Sequence, residues 1–97
     1  MGKQALKGLD TEHECQQLID ALKADHGPNW AEQYKPGSFG CHELLDRTAL
    51  VADTVEQYVL THPACVQQRE WFALATQAVT ALRELYQRIG EAHLDDK

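Results

Sequence analysis

The stretch CHELLDRTALVADTVEQYVLT, residues 41–61, decides the fold. Cys41, Leu44, Leu45, Thr48, Val51, Ala52, Val55, Tyr58 and Val59 recur three and four residues apart, the period of an α-helix. Ala49 and Leu60 widen the stripe. At about 100° per residue the apolar arc exceeds half a turn, too wide for a helix that touches one neighbour. A central helix with neighbours on both sides is therefore expected. Leu50 falls on the opposite, polar side, among Glu43, Asp46, Arg47, Asp53, Thr54 and Gln57.

On the C-terminal side, His62-Pro63 closes this helix, because a residue before proline is pushed out of helical geometry. A further helix is predicted to start between Ala64 and Arg69. Its apolar face is Trp71, Phe72, Ala75, Ala78, Val79, Leu82, Leu85, Tyr86 and Ile89. Gly90 weakens it, and a continuation to His93 and Leu94 fits the spacing. Residues 95–97 read as a solvated tail.

On the N-terminal side, Thr11-Glu12-His13-Glu14 has the pattern of a capping box and predicts a helix start after a nine-residue extension. Cys15, Leu18, Ile19 and Leu22 then form one stripe, and Gly27-Pro28 ends the helix. Between the first two helices, residues 29–40 hold Trp30, Tyr34 and Phe39, with a short helical turn expected from Trp30 to Tyr34. Rings of this size carry much of a small core's buried area, so they are expected to plug its end. The expected fold is all-α: one domain over residues 1–97, a three-helix up-down-up bundle with the second helix central and an aromatic-rich connector before it.

Composition agrees with a globular chain. Of the 97 residues 43% are apolar and 25% charged, and only three are proline. No apolar run approaches the roughly 20 residues needed to span a bilayer, so no membrane association is expected. Residues 1–9 carry two lysines and no apolar core, so no signal peptide is expected. Three cysteines, an odd number, then read as reduced thiols in a cytoplasmic protein.

The net charge of −6 is unevenly spread. Residues 10–56 hold ten acids against three bases, and residues 57–97 five acids against four. No basic face is visible, so direct nucleic-acid binding is not expected.

Chemistry-bearing residues gather around the start of the second helix. A Gly-containing loop, Lys35-Pro36-Gly37-Ser38-Phe39-Gly40, runs into Cys41-His42-Glu43. Free amides at a helix N-terminus favour anions and lower a thiol's pKa, which makes Cys41 the best nucleophile candidate. Cys41 also lies on the apolar stripe, where a cysteine acts as a small hydrophobe. His42-Glu43-Leu44-Leu45-Asp46 resembles a zincin helix with Asp46 in place of the second histidine, and the pair also reads as a solvated i,i+4 contact. An up-down-up bundle gathers His26, Cys41, His42 and His93 at one pole, and His13, Cys15, His62 and Cys65 at the other. Each set has zinc-ligand types but lacks paired Cys or His spacing.

Hydrolase patterns are not evident, and Ser38 is the single serine. The leading expectation is a non-catalytic interaction or regulatory module without a cofactor. Its partner is a protein, possibly a second copy, and its surface is Glu43, Asp46, Arg47, Leu50, Asp53, Thr54 and Gln57. The alternatives are a thiol or metal (zinc or iron) site at Cys41, His42, His26 and His93, and an acidic inhibitor that mimics nucleic acid towards a basic partner.

Overall fold

In the computed structural model the backbone is described for residues 2–95 and the side chains for residues 11–95. All regular structure among them is helical: α1 (Gly2–His26), a 3-10 turn (Trp30–Gln33), α2 (Phe39–Val55), a π-helical turn (Glu56–Leu60), α3 (Pro63–Gln67) and α4 (Arg69–Asp95). The chain divides into two compact units, one up to Glu32 and one from Gln33 onward.

The first unit is α1 and the turn after it. The helix starts at Gly2, so Thr11 stands inside it and the capping-box pattern does not mark its beginning. A capping box only supplies partners for free amides. Gln4, Ala5, Leu6 and Lys7 are good helix formers, and the helix continues through them. The far end follows the sequence: Gly27, at φ +91°, donates to the Lys23 carbonyl at 2.8 Å, a left-handed residue closing the helix.

The second unit is an antiparallel pair, α2 against α4, joined through the π turn and α3. Ser38 starts α2. Its backbone is extended, and its Oγ accepts the Cys41 N–H at 3.1 Å. Gly40, the second residue of α2, lies against Gln33 and Tyr34. A Cβ there would run into the Gln33 carbonyl oxygen and the Tyr34 ring. Gly40→Ala is expected to cost about 1 kcal/mol, since a backbone oxygen yields little to overpacking. Urea denaturation reads this directly.

The other boundaries also have local causes. Pro63 is the first residue of α3, and the His62 Nδ1 accepts the Ala64 N–H at 3.1 Å. Gln68 is extended and separates α3 from α4. The single predicted third helix is thus a short helix followed by a long one. Gly90 interrupts nothing, and α4 runs to Asp95.

The core of this unit is narrow. Cys41, Thr48 and Ala52 are buried on α2, and Ala75, Val79 and His93 on α4. Ala52 has no exposed surface at all. Small side chains at the seam let two helices approach closely. The buried Thr48 hydroxyl donates to the Leu44 carbonyl at 2.8 Å, so no polar group is stranded there. No large side chain among the described residues is fully buried.

Two expectations from the sequence change here. The aromatic connector does not fill the core: Phe39 is 86% exposed and Tyr34 also faces solvent. Phe39 precedes Cys41 by two residues, about 200° of helix, which turns it away from α4. Several members of the wide α2 stripe, Leu44, Val51, Tyr58 and Val59, are also exposed.

Candidate functional site

Three of the four residues named for a thiol or metal site belong to the α2–α4 pair. His93, near the end of α4, is buried, and its Nδ1 accepts the Gly37 N–H at 2.9 Å. This bond joins the loop before α2 to the far end of the chain. The His42 ring lies 5.5 Å from the His93 ring, tilted by 41°. Cys41 is 8% exposed and packs as a small apolar group, and reactive thiols need access. His26, the fourth, is the last residue of α1 and is exposed.

These groups already make contacts within the chain. The His93 Nδ1 is taken by the Gly37 amide. The His42 Nε2 faces the Asp46 carboxylate at 3.6 Å, both exposed, as an i,i+4 pair. Among the described residues no three His, Cys, Asp or Glu side chains converge so as to hold a metal ion. Ser38, the lone serine, has its hydroxyl committed to the α2 cap.

The polar residues named on the outer side of α2 are all exposed, and several bond within the chain. Arg47 meets Glu43 at 3.0 Å. The Thr54 hydroxyl donates to the Leu50 carbonyl at 2.7 Å. Asp53 receives the Arg83 guanidinium at 3.1 Å, and Glu56 receives it too, a clasp between α2 and α4. These bonds, to Glu56 first and Asp53 second, hold the Arg83 pKa above its usual value. Exposed pairs of this kind contribute little. Their effect is to soften the acidity of this side.

A further apolar surface lies near the bend between α2 and α4. Tyr58 and Val59 of the π turn, Cys65 of α3, and Trp71, Leu74 and Ala75 of α4 line an open groove of about 520 Å³. Tyr58 is 69% exposed, Trp71 56% and Leu74 63%. Leu44 and Val51 stand seven residues apart on α2, ahead of Tyr58 in the π turn, and Ala78 and Leu85 follow Trp71 at the same step along α4. Ala78 and Leu85 therefore share Trp71's side of α4, and Leu44 and Val51 share one side of α2. Leu44, Val51 and Leu85 remain nearly half exposed.

Leu74 and Cys65 fall outside the predicted apolar faces, whereas sequence periodicity marked Leu44, Val51, Tyr58, Val59, Trp71, Ala75, Ala78 and Leu85 as apolar face. It assigned them to an internal core because it counted two neighbours for the helix over residues 41–61. Compared with family models, with curated proteins and with solved structures, the chain matches none of them.

Proposed function

We propose that this chain is a small, non-catalytic helical module that acts by binding another protein through the apolar flank of the α2–α4 pair. The observation that carries this is the exposure of Leu44, Val51, Tyr58, Trp71, Leu74 and Leu85 on helices that retain no fully buried large side chain. Contiguous apolar surface of this kind marks interaction sites. The outer charges of α2 (Glu43, Asp46, Arg47, Asp53), with Leu50, Thr54 and Gln57, form the polar side of the same module. A cytoplasmic, regulatory setting fits its reduced cysteines and acidic charge.

The up-down-up arrangement of three helices, with α2 central, belongs to the same proposal.

The test is an apolar surface dye with the full chain, with and without Leu74→Glu. Dye binding that falls several-fold in Leu74→Glu, or its replacement by a stable protein complex that the same substitution breaks, supports the reading. A monomer that binds neither dye nor protein overturns it.

A further inference from the structure

We infer that the occupant of this apolar flank is a second copy of the same chain, paired flank to flank; this rests on the interaction reading above and gives it a partner. Three observations select a copy of the chain over other occupants.

The first is charge. The chain carries −6, and ten of its acids fall within residues 10–56. Two such chains repel wherever Asp46, Asp53 or Glu56 would face their equivalents. The stripes Leu44–Val51–Tyr58 and Trp71–Ala78–Leu85 carry no formal charge, so this flank lets two copies approach without that penalty.

The second is length. Trp71 to Leu85 is fourteen residues, about 21 Å of helix, whereas Cys15 to Leu22 is seven, about 10 Å. The shorter stripe does not continue. At helical spacing the next positions are Thr11 and Gly8 on one side and His26 on the other. The chain's own remaining apolar stripe is thus half as long as the surface to be covered, while a second copy of the flank matches it in length.

The third is geometry and area. Seven-residue recurrence, Leu44 to Val51 on α2 and Trp71 to Ala78 to Leu85 on α4, keeps these side chains on one side of each helix. A two-fold pair presents the same patch from both sides and so needs only self-complementarity. At their observed exposures the six large side chains offer on the order of 600 Å², near the roughly 800 Å² per partner of a standard interface once rim residues are added.

The experiment is light scattering on the full chain over a broad dilution series, with Trp71 emission followed in a Trp30→Phe background. Leu74→Glu is compared with Leu50→Glu, a substitution of the same kind on the outer side of α2. Leu74 and Leu50 are 63% and 66% exposed in the single chain, so both variants keep their helicity by circular dichroism. The expected result is twice the chain mass, a two-fold fall in mass for Leu74→Glu only, and a red shift of Trp71 emission on dilution.

A chain mass at every concentration, with dye binding that Leu74→Glu abolishes, overturns the second copy and leaves the interaction reading standing. A chain mass with no dye binding and Trp71 emission already blue-shifted overturns both, because the flank is then covered within one chain. A dimer that Leu50→Glu breaks and Leu74→Glu does not overturns the assignment of the flank.

Discussion

Ala52→Asp is expected to leave the α2–α4 pair without a cooperative unfolding transition. Ala52 has no exposed surface and sits where α2 meets α4. A carboxylate there has no cation beside it, since Arg83 is engaged by Asp53 and Glu56 on the exposed side. An uncompensated buried charge costs about 3–5 kcal/mol. A small domain has about 5–15 kcal/mol in all, and one without a fully buried large side chain belongs at the low end. Circular dichroism under increasing urea reads the result. Ala52→Ser, with a hydroxyl able to bond the preceding turn, retains the transition at lower urea. A cooperative Ala52→Asp protein would show that water reaches the seam.

His93→Ala is expected to remove about 2 kcal/mol. Part of this is the hydrogen bond from the Gly37 amide, and part is the cavity left by a buried ring. The bond links positions 56 residues apart, so its loss frees the loop before α2 as well as the end of α4. Proton exchange at the Gly37 amide should rise along with the shift in the urea midpoint. An unchanged midpoint would mean that the loop is held by other contacts. His42→Ala serves as the comparison, because its ring is exposed and its Asp46 contact is of the weak surface kind.

Much of the helical architecture was legible in the sequence. The helix over residues 41–61 appears as α2 and its π turn, the stop at His62-Pro63 holds, and Gly27 closes α1. These succeed because their causes are local: side-chain period, proline sterics and a left-handed glycine. The start of α1 was misplaced because a capping box signals an opportunity to begin a helix and does not oblige one. The plugging role given to Phe39 fails because α2 already includes Phe39, two residues before the buried Cys41, and helical geometry turns its ring away from the seam.

The candidate site shows the same division. Cys41 was readable both as a nucleophile and as a small core residue, and its burial favours the latter. His93 was singled out as a ligand type, yet the structure employs it as an acceptor for a loop amide 56 residues away. No spacing rule reports such a pairing, since it depends on where two distant segments meet. The Arg83 clasp is of the same kind. By contrast, the exposure of Leu44, Tyr58 and Leu85 is a matter of how many neighbours a face has, which periodicity along one chain does not count.

The Gly37–His93 bond also bears on the order of events during folding. The segments nearest the bend, Tyr58 with Trp71 and Ala75, are separated by few residues and close at small entropic cost. From there α2 and α4 zip outward through Asp53 and Arg83 toward the helix ends. The loop-to-histidine bond lies at the open end of the hairpin, so opening that starts from the helix ends reaches it before the bend. The latch that completes the hairpin is thus also its point of fraying, and the end of α4 detaches from Gly37 before the bend between α2 and α4 loosens.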